Sequence, residues 1–198
     1  MKKSSYWIIN ELTEISSEKL KGFKDQNEFA ETLKHIENLI ENSFLLFRNK
    51  FFSQSLFLTI TAFEEISKTE VCIFRGFSEK PNVKRSKDGL FNHKTKHLIA
   101  SNEIFFKYTK AEKLFGKEKI LEIQKKLENG NFIKLREESL YFESTKNGVK
   151  LPNKIITELD SRLTLFLCIE LFEDRFLGLS KDADLISNRM TRKLDTLM

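Results

Sequence analysis

The sequence predicts an all-α protein, a helical bundle, from three observations. Glycine and proline, which most often interrupt helices, number only 7 and 2 in 198 residues. Apolar residues recur at steps of three and four along several segments, as one face of a helix requires. Nineteen phenylalanines supply large rings for a core. The length, with 40% hydrophobic and 32% charged residues, fits one globular domain over residues 1–198.

Three helices are predicted in the first part of the chain. A weak apolar stripe over 5–21 ends near Gly22, and a stronger one covers 26–48. After a break near Asn49, a third helix is predicted over about 51–75. Residues 76–90 contain Gly76, Pro81 and Gly89 with few apolar side chains, so they are predicted to form a loop.

The rest of the chain alternates short and long predicted helices. They cover about 91–109, 111–128 and 132–143, and Asn129–Gly130 ends the second of them. A turn is predicted at Asn147–Gly148. Pro152 is expected to open a long helix over about 153–177, and a terminal helix over 181–197 follows.

The cysteines and the apolar runs bear on where the protein resides. Cys72 and Cys168 lie in apolar helical patterns and are predicted to be buried, reduced thiols, as expected in the cytoplasm. The first residues do not resemble a secretory signal, and no apolar run approaches the ~20 residues that cross a bilayer. The formal charge of +5 permits a polyanionic partner without requiring one.

Residues 61–68, TAFEEISK, place two carboxylates and a lysine in the most apolar helix. Glu64 is predicted at the edge of the buried stripe, and Glu65 further towards solvent or a neighbouring helix. Glu64 and Lys68 stand four residues apart, in the order that favours an ion pair. Two interpretations stay open: a weak surface pair, or a half-buried carboxylate whose proton affinity is tuned by a lysine and an apolar wall. The residues predicted to share the buried face are Leu56, Ile60, Phe63, Ser67, Val71 and Phe74.

FNHKTKHLIA at 91–100 holds two histidines at a spacing of four. His93 and His97 therefore project from one helical face, which Ala100 and Ile104 continue and which is expected to look inward. Acid/base work is the favoured interpretation, followed by capping of the helix start and then by a metal pair. A cation, Lys94, stands where the HExxH zinc motif has its glutamate, so no metal is expected.

A basic stretch leads into this histidine turn. Only Asp88 opposes the positive charges between residues 80 and 97. A solvated loop is the default interpretation, and contact with an RNA backbone is the functional one. The basic residues are Lys80, Lys84, Arg85, Lys87, Lys94 and Lys96.

The order of these motifs resembles the AbiV family of bacterial abortive-infection proteins. EEISK lies in an apolar helix, HKTKH opens the next long helix, and LREESLYFE precedes a proline-started helix. The resemblance covers roughly residues 26–175. It implies a HEPN-like up-and-down helical bundle with additional short helices, and a role in phage defence in which the infected cell stops making protein. The matching positions are Glu64, Glu65, Lys68, His93, Lys96, His97, Arg136 and Tyr141.

The resemblance also implies how the protein works. It suggests a homodimer, a phage-encoded activator and a metal-independent endoribonuclease that needs no cofactor. In this hypothesis His93 or His97 acts as base or acid, Glu64 orients a histidine, and Lys68 or Lys96 stabilises the phosphate. His97→Ala or Glu64→Ala should then abolish growth arrest with the melting temperature nearly unchanged.

One departure from the family pattern supports an alternative. HEPN nucleases carry an arginine and a histidine separated by four to six residues, and no arginine stands at that distance before His93 or His97. The alternative is a non-catalytic bundle that binds the translation machinery or a phage protein and blocks it sterically. The catalytic hypothesis requires the Glu64 helix and the histidine helix to lie side by side.

Overall fold

In a computed structural model, residues 4–76 and 80–197 form eleven α-helices, two short 3₁₀ helices and two small β-sheets. The predicted all-α class is confirmed. The helices are α1 Ser5–Thr13, α2 Gln26–Arg48, α3 Phe52–Arg75, α4 His93–Ala100, α5 Glu103–Tyr108, α6 Ala111–Phe115, α7 Lys117–Asn129, α8 Asn131–Glu138, α9 Pro152–Ile155, α10 Glu158–Phe176 and α11 Lys181–Leu194. The strands are β1 Ser16–Ser17, β2 Asn82–Val83, β3 Glu143–Thr145 and β4 Gly148–Lys150.

Four long helices, α2, α3, α10 and α11, build the main core. The α3 helix packs against α2 and α10, and α11 packs against α10 and α2. Every residue of α10 from 163 to 172 is buried, because this helix is apolar on most of its surface and is covered on several sides. Leu33 and Ile36 of α2 and Leu56 and Ile60 of α3 are fully buried in the same core.

A chain of buried hydroxyl groups joins three of these helices. Ser43 of α2 lies 2.6 Å from the Thr59 hydroxyl and 3.0 Å from the Ser55 hydroxyl of α3. Ser161 of α10 donates a hydrogen bond of 2.9 Å to Ser55 Oγ. Because each hydroxyl finds a partner, small polar side chains allow close helix packing without an unsatisfied group.

Several predicted boundaries differ from the structure. The first helix ends at Thr13, and the chain continues as β1, which pairs in parallel with β2. The predicted helix over 91–109 is broken into α4 and α5, because the Asn102 side chain accepts a hydrogen bond from Ile104 N and starts a new helix. The predicted helix over 111–128 is likewise divided at Gly116.

In the C-terminal part, too, the limits of the predicted helices differ from the structure. The predicted helix over 132–143 ends at Glu138, and β3 and β4 form an antiparallel hairpin around the predicted Asn147–Gly148 turn. Pro152 opens only the short α9. The long α10 begins again at Glu158, where Thr157 and Asp160 form a capping box.

Cys72 and Cys168 are free and buried, as predicted. Among the helices of residues 4–76 and 80–197, none combines the length and the apolar character that a bilayer span requires.

Candidate functional site

Glu64, in the middle of α3, is the centre of a buried polar cluster. It is 3% exposed, so it lies inside the protein rather than at the edge of the apolar stripe. The helix is held at this depth by Phe63 and Ile66, both fully buried beside it. A carboxylate in such surroundings needs several donors, because burial of an unpaired charge is costly.

The α4 helix supplies three of those donors from its first two turns. His93 Nδ1 lies 2.8 and 2.7 Å from the two Glu64 carboxylate oxygens, and Lys96 Nζ lies 2.7 Å from Oε2. His97 Nε2 lies 3.1 Å from Oε1. The helix starts here because the Asn92 side chain accepts a hydrogen bond from Thr95 N. The Glu64 helix and the histidine helix therefore lie side by side.

The α8 helix completes the cluster from a third direction. Arg136 Nε stands 3.9 Å from Glu64 Oε1, and its guanidinium lies over the Phe57 ring at 4.8 Å. Phe132, fully buried, packs edge-on against the His97 ring with centroids 5.5 Å apart. These two phenylalanines were not predicted as part of the site, since only the fold brings α8 onto α3 and α4.

The donors around Glu64 determine its charge. Burial raises the pKa of this carboxyl, but hydrogen bonds from His97 and Lys96 outweigh burial and lower the pKa from 4.5 to about 2. Glu64 is therefore ionised at neutral pH. Burial lowers the pKa of His97 despite the nearby carboxylate, so this imidazole is neutral. With Lys96 and Arg136 charged and Glu64 ionised, the cluster carries a net charge of +1 when both imidazoles are neutral.

The ionised Glu64 carboxylate decides which nitrogen of each imidazole carries the hydrogen that faces it. An ionised carboxylate only accepts hydrogen bonds, so His93 donates through Nδ1–H and His97 through Nε2–H. His97 is fully buried and its Nδ1 has no hydrogen-bond partner within the described part of the chain. The His93 side chain is 43% exposed. Of the two, only His93 is accessible to a molecule in solution.

Lys68 and Glu65 lie outside this cluster. The predicted Glu64–Lys68 ion pair is absent from the residues that the structure describes, and Lys68 instead forms a close ion pair with Glu65. The prediction was wrong because α4 packs beside Glu64, and the carboxylate accepts its hydrogen bonds from Lys96 and the two histidines instead. Two predicted inward positions are also wrong, since Phe74 and Ile104 are 62% and 69% exposed.

The residues of the basic stretch differ in their exposure and in their contacts. Lys84, Arg85, Lys87 and Lys94 are exposed, and the Lys80 ammonium contacts the carbonyl oxygen of Thr13. Lys96 is buried in the cluster, as described above. Tyr141, which follows α8, is 64% exposed and no contact joins it to Glu64 in the structure described.

Asp88, the single acid of the basic stretch, is buried. Arg75 donates to both of its oxygens at 3.0 and 2.8 Å, and Ser17 donates to it at 2.9 Å. Arg75 also donates to the carbonyl oxygens of Leu12 and Leu20. This buried network ties the N-terminal segment to the loop before α4 and was not predicted. The isolated acid among basic residues was the one sequence signal that pointed to it.

The donor set around Glu64 does not resemble a metal site. In residues 4–76 and 80–197, no group of three histidine, cysteine, aspartate or glutamate side chains is arranged to hold a metal ion. The Lys96 ammonium stands where a cation beside the carboxylate would otherwise bind.

Comparison with known proteins identifies a family. The family model HEPN_AbiV, described as AbiV, matches residues 28–166, which include α3, α4 and α8 and therefore the whole Glu64 cluster. Neither the search of curated proteins nor the search of solved structures found a match.

Proposed function

This chain belongs to the AbiV family, and from that premise we propose that it is a phage-activated, metal-independent endoribonuclease of the HEPN type that stops translation in infected cells. Membership of the family indicates a role in abortive infection. The observation that supports the catalytic step is the Glu64–His93 pair, a buried carboxylate bonded to an exposed imidazole.

The pair matches the requirements of a general base. Glu64 accepts a hydrogen bond from His93 Nδ1–H, which fixes the orientation of the ring and leaves Nε2 of the neutral imidazole with a lone pair. His93 Nε2 takes the proton of the RNA 2′-hydroxyl as its oxygen attacks the adjacent phosphorus. Carboxylate–imidazole pairs orient bases in this way in hydrolytic enzymes, and general base catalysis contributes about 10²–10⁴ in rate.

Arg136 is the proposed phosphate contact. Its side chain is 25% exposed, its Nε stands beyond hydrogen-bond distance from Glu64, and its guanidinium rests on Phe57. A guanidinium pairs with two phosphate oxygens at once, which suits the charge that develops on phosphorus. Lys96 is 7% exposed and bound to Glu64, so its role is to neutralise the carboxylate rather than to touch RNA.

The leaving group requires a second proton carrier. In-line attack places the 2′-oxygen and the departing 5′-oxygen on opposite sides of phosphorus, so one imidazole cannot serve both. His97 is fully buried and cannot reach the substrate. In a homodimer that brings two copies of His93 to one cleft, the two copies start in different protonation states. The neutral copy takes the 2′-hydroxyl proton at Nε2, and the other, starting as the imidazolium, gives its Nε2 proton to the departing 5′-oxygen, which leaves a 2′,3′-cyclic phosphate.

The test is RNA cleavage by the purified full chain mixed with total cellular RNA, with and without extract of phage-infected cells. Wild-type protein should produce fragments ending in 2′,3′-cyclic phosphate. His93→Ala should slow their formation by about 100-fold or more, whereas His35→Ala, which changes an exposed histidine away from Glu64, should not. Intact RNA together with blocked translation would contradict the nuclease proposal.

Intact RNA with blocked translation is expected of the second candidate function. In that case the chain is a non-catalytic binder of the translation machinery or of a phage protein. The observation that favours it is an exposed apolar surface beside and on the β3–β4 hairpin. Tyr141, Phe142 and Val149 are 64%, 67% and 58% exposed, and grouped apolar side chains of this kind often contact other macromolecules.

A further inference from the structure

A groove borders the face of α3 next to the one that carries Glu64. Successive residues of a helix differ by about 100° around its axis, so Glu65 faces this groove while Glu64 faces α4. The groove has a volume of about 670 Å³ and lies between α2, α3 and residues 18–24. This volume falls within the range of clefts that bind a drug-sized ligand.

The two walls of the groove differ in net charge. Residues 18–24 contribute three lysines, Lys19, Lys21 and Lys24, beside one carboxylate, Glu18, whereas α2 contributes Glu28 and Glu31. Lys24 and Glu28 approach to 3.5 Å, but Lys19, Lys21 and Glu31 form no ion pair with any residue of the described ranges. Each wall therefore presents charge that none of the residues in 4–76 and 80–197 neutralises.

The floor of the groove, on α3, contains an ion pair and an unsatisfied hydroxyl. Glu65 and Lys68 form the ion pair. Thr69 lines the groove and is 1% exposed, and its hydroxyl has no hydrogen-bond partner within the described residues. By contrast, Thr61 and Ser67 of the same helix donate to the carbonyl oxygens four residues earlier. A buried hydroxyl without a partner destabilises the free protein, and a ligand that bonds to it would remove that cost.

We propose that this groove binds a peptide segment that carries both an acidic and a basic side chain. The acidic group pairs with the lysines of residues 18–24, the basic group pairs with Glu31, and a polar atom of the peptide reaches Thr69. A polyanion such as RNA would meet the carboxylates of Glu28 and Glu31, so the charge pattern disfavours it. The proposal does not depend on the nuclease activity proposed above.

The experiment titrates the full chain with capped peptides of equal length on one apolar framework. They carry lysine and glutamate together, lysine alone, glutamate alone, or serine in place of both. Binding is followed by the amide ¹H–¹⁵N shifts of Lys21, Thr69 and Cys72, which line the groove. The mixed-charge peptide should bind with a Kd of about 1 mM or tighter and shift these amides, whereas the other peptides should not.

Matched variants separate the groove from the rest of the surface. Glu31→Gln should weaken binding of the mixed-charge peptide by at least about threefold, and Thr69→Val by roughly tenfold. Glu118→Gln, at an exposed position of α7 outside the groove, and Thr61→Val, which removes a satisfied hydroxyl, should leave the Kd unchanged. Thr69→Val removes no hydrogen bond among the described residues, so it should fold normally.

Three outcomes would overturn the proposal. Equal binding of a singly charged peptide would show only general charge attraction. The absence of any shift at the three amides, or equal effects of Thr69→Val and Thr61→Val, would show that the groove is not a peptide site. If the chain failed to cleave RNA in the assay described under the proposed function, the peptide-binding result would still stand.

Discussion

Glu64→Gln is expected to destabilise the protein strongly, because it removes the negative charge that the buried Lys96 contacts. Lys96 is 7% exposed and its ammonium lies 2.7 Å from Glu64 Oε2. The pKa of Glu64 is lowered from 4.5 to about 2, which corresponds to roughly 3 kcal/mol in favour of the ionised form in the folded state. Glutamine keeps the shape of the side chain but carries no charge, so this stabilisation is lost.

The size of the effect follows from the burial of the pair. Removing one partner of a buried ion pair costs about 3–5 kcal/mol, since the other charge stays buried and uncompensated. In a protein of this size each kcal/mol lowers the Tm by about 2–4 °C, so Glu64→Gln should lower it by about 6–20 °C at pH 7. Sequence alone suggested an unchanged Tm for Glu64→Ala and His97→Ala. The burial of Glu64 and His97 reverses that expectation.

Thermal unfolding followed by circular dichroism measures this change, and a second variant tests the cause. Adding Lys96→Met to Glu64→Gln removes the uncompensated ammonium and should recover a large part of the lost Tm. A Tm for Glu64→Gln within about 2 °C of the wild type would refute the reasoning, because the carboxylate would then not be a buried, ionised partner.

Three other predictions concern stability. The pKa of Glu64 is lower in the folded than in the unfolded state. Its contribution to the free energy of unfolding is therefore fully present above about pH 4.5 and is lost as the pH falls towards about 2. Urea unfolding at several pH values should show this loss in the wild type but not in Glu64→Gln. Arg75→Met should cost about 3–5 kcal/mol by leaving Asp88 buried without its cationic partner. The segments whose carbonyl oxygens Arg75 holds, at Leu12 and Leu20, should then open more often, so their backbone amides should exchange hydrogen faster; unchanged exchange would contradict the role of the network. Lys68→Ala should change the free energy of unfolding by no more than about 1 kcal/mol, because its pair with Glu65 is partly exposed; a loss as large as that of Glu64→Gln would place Lys68 in the cluster after all.

The long helices were predictable because helical periodicity is a local property of the chain. The α2 helix occupies the predicted residues 26–48, and α3 occupies 52–75 against a prediction of about 51–75. The short helices were predicted with wrong limits, since single capping side chains such as that of Asn102 divide a continuous apolar pattern.

The candidate site was predictable only in part. The spacing of His93 and His97 placed both imidazoles on one helical face, and both contact Glu64. The spacing of Glu64 and Lys68 suggested a partner that the structure does not use. A helix surface offers several possible partners at similar distances in sequence, and which one forms depends on the element packed against it.

The sequence by itself determined the helices and the order of the ionisable groups along them, since both follow from local spacing and side-chain chemistry. Only the tertiary structure decided the role of each group. Packing of α4 and α8 on α3 buries Glu64 among positive charges, hides His97 and leaves His93 accessible. These differences come from burial and from contacts between residues far apart in the chain, which no local pattern encodes.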